Sequence, residues 1–237
     1  IDEEGKLQET DNTLFTGAAA RYALGSVRYE NGNGPMAVSL PEKLSEQEGI
    51  YIDAAGHTLE LLPEEGDFTR SMAQDNAIRY SDVFPGVDYQ YTVLGESLKE
   101  DIVLLEKNDK NTFSYLLHTD GLKAELSENQ IILYEDNKEE PAYFLEAPEM
   151  VDAAGDVSFA VKLSLEERGE DTYRISVEAD KEWLFDEGRA YPVRIDPTAV
   201  NVAPSAFSLA CAEEGSPRSV IGDNQYPYVG YDDGVVS

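Results

Sequence analysis

Apolar and polar residues alternate most regularly between Val87 and Leu94, in the sequence VDYQYTVL. One face of this run collects Val87, Tyr89, Tyr91 and Val93. A period of two is typical of a half-buried β-strand. A polar break follows over 95–100, and an apolar run resumes over 101–105. We therefore expect residues 76–104 to hold the strands around which the rest of the chain is organised, starting from a corner at 84–86.

Turn signals separate many further short apolar runs. Residues 49–62 predict a hairpin around Asp53-Ala-Ala-Gly56, and the same tetrapeptide recurs at Asp152–Gly155. The flanking sequences match poorly, which favours repeated turn chemistry over an internal repeat. Other predicted strands cover 36–40, 113–118, 122–126, 131–134, 142–145, 157–165, 172–178 and 191–197. One helix is expected over 181–187, with Asp180 as its N-cap and Gly188 as its end.

Short strands that recur every ~8–12 residues indicate an antiparallel sandwich or barrel rather than βαβ units. We therefore predict an all-β fold of antiparallel hairpins, with one or two β-sandwich-like units and very little helix. Composition changes suggest three regions. Residues 1–75 form a lead-in with a hairpin, 76–198 the main β module, and 199–237 a linker that leads into a partial further segment.

The charge of the chain changes this picture most. Its 237 residues contain 48 acidic and 18 basic side chains, for a net charge of −30. Such a field repels phosphate backbones and anionic lipid, which argues against nucleic-acid and membrane partners. A solubilising surface is the simplest interpretation, and attraction of cations such as Ca²⁺ or of a basic partner is the alternative. Since Cys211 is the single cysteine, no intrachain disulfide can form.

Candidate catalytic and metal-binding residues are sparse. His57 and His118 border predicted turns and lack metal-ligand spacing, so we interpret them as polar turn residues. Cys211 lies in the Ala/Ser/Pro-rich linker and is interpreted as a structural thiol. Oxygen donors for Ca²⁺ are available in the tail at Asp223, Asn224, Asp232 and Asp233. The sequence therefore predicts no catalytic, cofactor-binding or metal-binding residues.

Two alternatives stay open at this stage. Lys99 and Lys162 lie beside apolar strands and are candidates for an intramolecular Lys–Asn isopeptide bond, although alternation places a lone Lys more often on the solvent face. The second alternative is a surface of tyrosine rings that stack on sugars. The simpler interpretation is that these tyrosines are half-buried, with the ring in the core and the hydroxyl in contact with water. The tyrosines concerned are Tyr80, Tyr89, Tyr91, Tyr226, Tyr228 and Tyr231.

Four pieces of the sequence carry a resemblance. The stretch YSDVFPGVDYQYTVLGESLKEDIVL resembles a segment found upstream of the YD repeats in bacterial Rhs and wall-associated proteins. The pieces KLQETDNTL, KEWL and YPVRIDPT, at 6–14, 181–184 and 191–198, are similar to further pieces of such modules in the same order. Thr10 and Leu7 depart from the usual pattern. Residues 220–231 also resemble part of a DNRLRE module.

The resemblance implies a large secreted bacterial surface or toxin-carrying protein from which this chain is a piece. It implies a non-catalytic β module with no cofactor, located outside the cell or in the cell wall. Other domains of the same long chain are the expected partners. The alternatives are a carbohydrate-binding module for cell-wall or host glycan, and a hydrolase acting on glycans or peptides.

Overall fold

The computed structural model describes residues 10–16, 27–136, 140–196 and 199–202. These ranges hold nineteen strands and one short helix. The first ten strands are β1 (Asp11–Thr16), β2 (Arg28–Asn33), β3 (Ala37–Pro41), β4 (Ile50–Ala54), β5 (His57–Pro63), β6 (Ser71–Gln74), β7 (Ala77–Phe84), β8 (Val87–Leu94), β9 (Ser97–Leu104) and β10 (Thr112–His118). The remaining elements are β11 (Lys123–Ser127), β12 (Gln130–Tyr134), β13 (Pro141–Leu145), β14 (Glu149–Val151), β15 (Val157–Ser158), β16 (Val161–Gly169), β17 (Thr172–Ala179), α1 (Lys181–Leu184), β18 (Val193–Asp196) and β19 (Ala199–Val202).

The strands form two antiparallel sheets. Sheet I has eight strands in the order β1-β2-β3-β4-β5-β10-β17-β16. Sheet II has eleven strands; eight follow the order β11-β12-β13-β19-β9-β18-β14-β15, and β6, β7 and β8 join them as successive hairpins on β9. The predicted all-β class, with antiparallel sandwich-like units and little helix, is confirmed.

Strand β9 is the centre of sheet II. Along one edge it pairs with β8 from Ser97 to Leu104. Its other edge is divided between two strands from far along the chain: β18 pairs with Ile102–Leu104, and β19 pairs with Ser97–Lys99. The stretch 76–104 therefore supplies β7, β8 and β9; β8 and β9 match the two strands that its pattern predicted, whereas β7 was not predicted. The predicted polar break is shorter, because Gly95 at φ 63° allows a two-residue turn and β9 starts at Ser97.

The inner faces of the two sheets share one hydrophobic core. Buried aromatic rings meet there edge to face: Phe68 packs on Tyr80 and Tyr89, and Tyr89 packs on Phe113 of sheet I, with centroids 5.2–6.1 Å apart. Such pairs add stability beyond their buried area. The core draws side chains from Met36 to Val200, whereas the three-region division of the chain stays a prediction.

The chain passes from sheet II to sheet I within a segment that the sequence pattern predicts as a single strand. The predicted strand 157–165 is two strands: β15 pairs with β14 in sheet II, and β16 pairs with β17 in sheet I. Phe159 and Ala160 cross between them, and the Ala160 carbonyl accepts the Asp180 N–H at 2.8 Å. Because both halves are apolar at alternate positions, periodicity alone does not show the change of sheet.

The two Asp-Ala-Ala-Gly turns have different structures. In the first, Ala55 and Gly56 both have positive φ, at 53° and 86°, and close a two-residue hairpin. In the second, the Asp152 carboxylate accepts the N–H groups of Ala154 and Asp156 at 2.9 and 3.0 Å. This difference agrees with repeated turn residues rather than a duplicated unit.

The predicted helix is present but shorter than expected. Asp180 caps α1 by accepting the Trp183 N–H at 2.8 Å, as predicted. The helix ends at Leu184 rather than at Glu187. Arg189 lies over the Trp183 ring at 3.5 Å and donates to the Trp183 carbonyl, so a side chain occupies the end of the helix.

Candidate functional site

The densest group of charged side chains with shifted pKa values lies around β9. Alternation along this strand points Leu98, Glu100 and Ile102 towards the shared core, and Lys99 and Asp101 towards the opposite face. Glu100 and Asp101 are only 3% and 5% exposed. The charges of this segment, with that of Asp88, predict solvent-face or turn positions for Glu100 and Asp101. That prediction is wrong, because Glu100 lies in the core beside Tyr91, and Asp101 is covered on the opposite face by the side chains of Lys99 and Arg194.

On the inner face, Glu100 lies among tyrosines. The Tyr91 hydroxyl donates to Glu100 Oε1 at 2.5 Å. Burial, with the Glu100 charge as a second cause, raises the pKa of Tyr91 well above its ordinary value. The Tyr89 and Tyr115 rings, 6.4 Å apart, lie next to this pair and have raised pKa values for the same reason. Because all of these groups are enclosed, this arrangement joins β8 to β9 inside the core.

On the opposite face, a charge cluster joins β9 to β18. We use the name outer charge cluster for Lys99, Asp101, Glu149, Arg194 and Asp196. Lys99 Nζ lies 3.2 Å from Asp101 and 3.1 Å from Asp196. Arg194 donates to Asp101 Oδ2 at 3.4 Å, and Glu149 is the cross-strand neighbour of Asp196.

The pKa shifts in the outer charge cluster follow from burial and neighbouring charge. Burial alone lowers the pKa of Lys99, but Asp196 and Asp101 together raise it above its ordinary value. Burial also raises the pKa of Asp196; Lys99 opposes this, and the charges of Asp101 and Glu149 add to it. The two shifts have the same sign because Asp196 is desolvated beside like charges whereas Lys99 faces two carboxylates.

Shifted pKa values near paired charges are typical of functional sites and also of structural ion-pair networks. Here Lys99 of β9 pairs with Asp196 of β18, and Arg194 of β18 pairs with Asp101 of β9, which is what a cross-strand clamp requires. Across the described residues, no group of three or more His, Cys, Asp or Glu side chains is placed to hold a metal ion. The geometry therefore supports a structural role for the outer charge cluster.

His57 makes the one described histidine–carboxylate contact. Its Nε2 lies 3.4 Å from Glu135, and its Nδ1 lies 3.3 Å from the Asp120 carbonyl. His118 instead contacts the Thr172 hydroxyl at 3.1 Å. The two histidines thus have separate partners at turn edges. A His–carboxylate pair has the composition needed for proton transfer, so His57 is the residue to vary in any test for catalysis.

Three of the six tyrosines proposed as a sugar-stacking surface lie in the core. Tyr80, Tyr89 and Tyr91 are at most 2% exposed, so these three rings do not present a face to a glycan. Their hydroxyls were expected to be wet, and that expectation is wrong for Tyr80, which donates to the Pro41 carbonyl at 2.5 Å. The remaining three tyrosines, Tyr226, Tyr228 and Tyr231, lie outside the described residues.

The isopeptide candidates also have clear positions. Lys99 is 35% exposed and paired with two aspartates, and Lys162 is exposed on β16 opposite Glu178. Neither is the buried lysine that an isopeptide bond requires. The remaining candidates, Cys211, Asp223, Asn224, Asp232 and Asp233, lie outside the described residues.

Sequence reasoning missed two arginine sites, of which Arg28 is buried and Arg189 is partly exposed. Arg28 is 1% exposed; it donates to the Ser39 side chain and carbonyl and to the Gly49 carbonyl, at 2.8–2.9 Å, and pairs with Glu48 at 3.2 Å. Arg189 bonds Asp152 at 2.9 Å. No local pattern marks either arginine, because their acceptors come from other strands and turns.

Among the described helices, none combines the length and the apolar character needed to cross a membrane.

Comparison with known proteins finds relatives among wall-associated proteins. The tRNA nuclease WapA of Bacillus subtilis is 37% identical over 142 residues, which is 57% of this chain and 6% of that protein. The tRNA3(Ser)-specific nuclease WapA of Bacillus spizizenii is 32% identical over 166 residues, which is 67% of this chain and 7% of that protein. A wall-associated protein of Geobacillus stearothermophilus is 30% identical over 102 residues, covering 43% of this chain and 39% of that protein.

The chain is thus related to wall-associated proteins, and it spans only a small part of the nucleases it matches. These relatives suggest a location at the cell surface. The expectation that the chain has no enzymatic role is contradicted, because the relatives at 32–37% identity are named tRNA nucleases. No protein-family profile matches the chain, and no solved structure matches it.

Proposed function

We propose that this chain is a region of a wall-associated protein of the tRNA nuclease type, and that its two sheets serve as a structural and interaction module at the bacterial surface. The observation that carries the proposal is the relationship to the WapA proteins over more than half of this chain. Those relatives are named as tRNA nucleases, and we include tRNA cleavage by the full-length protein in the proposal.

The fold supports the structural part of this proposal. Both edges of β9 are paired, and its partners β18 and β19 come from about a hundred residues further along the chain. Long-range pairing of this kind closes the region into one cooperative unit with a continuous core. Such a unit can connect other domains of a long chain without depending on a bound ligand.

The charge supports a limited role for this region in binding RNA. A net charge of −30 repels a phosphate backbone, so we expect the region itself to contact tRNA weakly. Its partners are proposed to be the neighbouring domains of the same protein. We also propose that YD repeats follow in the full-length protein and that residues 199–237 are a linker leading into a DNRLRE-like module, of which 220–231 are part. The sequence of the complete gene tests both points directly.

The main experiment uses the full-length protein in its own host. Tyr80→Ala removes a buried ring that joins the two sheets, whereas Tyr173→Ala removes a half-buried ring on β17. We expect the Tyr80 variant to be depleted from the cell-wall fraction and the Tyr173 variant to match the wild type. Immunoblots of wall, membrane and cytosolic fractions measure this. Wild-type protein confined to the cytosol, or a Tyr80 variant that unfolds yet reaches the wall normally, would overturn the structural proposal.

The nuclease part has a separate readout. Purified full-length protein is incubated with total tRNA, and cleavage is followed on denaturing gels. Cleavage supports the proposal, and intact tRNA under all metal conditions overturns its nuclease part without affecting the surface role. His57→Ala in the full-length protein then shows whether the His57–Glu135 pair contributes. Full activity of that variant removes this pair from the reaction.

A further inference from the structure

Two asparagine–glycine pairs follow each other at the end of β2, in the sequence Asn31-Gly32-Asn33-Gly34. Both pairs have the same two residues, with Glu30 before the first pair and Pro35 after the second. The fold treats them differently, however, because Asn31 is 8% exposed and Asn33 is exposed. The two sites therefore form a natural comparison for a reaction that depends on the asparagine side chain and the following backbone nitrogen.

Asparagine followed by glycine can modify itself without an enzyme. The backbone nitrogen of the glycine attacks the asparagine Cγ, an N–Cγ bond forms, and the side-chain nitrogen leaves as ammonia with the proton lost from the glycine N–H. Water then opens the resulting five-membered imide at either carbonyl, which gives aspartate or isoaspartate. Glycine favours the attack since it has no Cβ to obstruct the approach, and the product adds a negative charge.

The fold holds the Asn31 side chain away from this reaction. Its Nδ2 donates to the Met36 carbonyl at 2.9 Å, and its Oδ1 accepts the Val38 N–H at 2.7 Å. Both hydrogen bonds must break before Cγ can turn towards the Gly32 nitrogen. Burial also keeps water from the side chain, so both steps of the reaction are hindered.

Asn33 lies where the sheet gives less restraint. The pairing of β2 with β3 covers Arg28 to Glu30 and does not extend to Asn33. The strand partner of Asn33 is Asp11 of β1, an edge strand whose register shifts between Asp11 and Leu14. Gly34, which supplies the attacking nitrogen, lies in an exposed bend just past the strand. The backbone there can rearrange without opening the core.

We propose that Asn33 is a site of spontaneous deamidation and that Asn31 is protected by its two backbone hydrogen bonds. The reaction places a carboxylate at position 33, directly opposite Asp11 in the β1–β2 ladder. Like charges at opposed positions destabilise a strand pair. Ageing of the protein therefore loosens the pairing of the edge strand β1, and an isoaspartate, which lengthens the backbone, disturbs the ladder further.

Peptide mass spectrometry tests the site. The folded 237-residue chain is incubated at mildly alkaline pH, and samples are digested with trypsin over time. Both asparagines fall in the peptide 29–43, and fragmentation separates them. We expect the mass gain of amide-to-acid conversion at Asn33, with Asn31 slower by at least about tenfold, because the Asn31 side chain must leave its buried position and its bonds to Met36 and Val38 before it can react.

The controls decide whether the fold is the cause. In concentrated urea we expect both asparagines to react at similar rates. Asn33→Gln is expected to stop the fast reaction, whereas Asn31→Gln leaves the reaction at Asn33 in place. Equal rates at the two sites in the folded chain would overturn the proposal. So would an Asn33 that stays unmodified while the urea-unfolded chain reacts.

The structural consequence has its own measurement. Asn33→Asp imitates the product, and hydrogen exchange of 11–16 reports the β1–β2 pairing. We expect faster exchange in this variant and recovery when Asp11→Asn is added, since that change removes the opposing charge. Unchanged exchange in Asn33→Asp would overturn the proposed loosening of β1.

Discussion

The Tyr143 hydroxyl joins the two sheets at the point where β13 meets the β4–β5 hairpin. It accepts the Ala54 N–H at 2.9 Å and donates to the Ala54 carbonyl at 2.5 Å. The His57 carbonyl is a second acceptor for the same hydroxyl proton, 3.0 Å away. Tyr143 is fully buried, and Ala54 is 9% exposed. Since water has little access, no other partner is at hand for the Ala54 N–H when the hydroxyl is removed.

We predict that Tyr143→Phe destabilises the protein by about 2 kcal/mol. The ring and its packing stay in place, so the loss comes from a buried N–H and carbonyl left without their partner, at about 1–3 kcal/mol. For a chain of this size, that corresponds to a fall in Tm of roughly 4–8 °C. Urea unfolding followed by far-UV circular dichroism measures the change in the free energy of unfolding by linear extrapolation.

Tyr134→Phe on the adjacent strand β12 is the matched control, because Tyr134 is half-buried and its hydroxyl can turn to water. We expect this variant to lie within about 0.5 kcal/mol of the wild type, as most surface changes do. Our reasoning is refuted if Tyr143→Phe is as stable as that control. Such a result would mean that the hairpin relaxes to find other partners at little cost.

Three further predictions concern turns and buried charges. Ala55→Asn should stabilise the chain by about 0.5–1 kcal/mol, since asparagine tolerates the positive φ at this position better than alanine. Ala154 is not among the residues with positive φ, so Ala154→Asn should give no gain in stability when both variants are unfolded in urea. Burial raises the pKa of Asp152, but hydrogen bonds from Arg189 and three backbone N–H groups outweigh it and lower that pKa below 3.8. The stability from Asp152 is therefore present above pH 3.8 and lost as the pH falls through the lower folded pKa, so Asp152→Asn should flatten the acid limb of stability against pH; an unchanged limb contradicts this assignment. Arg28→Met should cost about 3 kcal/mol or more because it strands buried acceptors and Glu48, and thermal unfolding no different from wild type would contradict it.

Strand β8 shows which structural features the local sequence predicts and which it does not. The alternation at 87–94 predicts a strand with Tyr89 and Tyr91 on one face, and β8 has that form. It does not show that the face is covered completely, which is why the same tyrosines also suggested an exposed sugar-binding surface. Full burial depends on Phe113 and Tyr115 of sheet I, which pack on Tyr89.

In the segment 99–101, the exposure that the local sequence indicates and the burial that the fold produces differ even more. Its charges indicate solvent exposure when they are considered alone. In the fold, Glu100 contacts Tyr91 inside the core, and Asp101 meets Arg194, which is 93 residues away in sequence. A charge can be buried when its partner is at hand, and that partner is not visible in the local sequence.

The sequence by itself determined the all-β class, the hairpin series, the cap of α1 and the acidic surface, because these depend on residue periodicity, turn chemistry and charge. It also carried the relationship to wall-associated proteins. Only the tertiary structure decided that β9 lies between β8 and the distant β18 and β19, and that 157–165 divides between two sheets. Strand pairing joins residues far apart in the chain, and many pairings satisfy the same alternation. The segment 76–104 is therefore recognisable from its pattern, but its central position follows from the strands that close around β9.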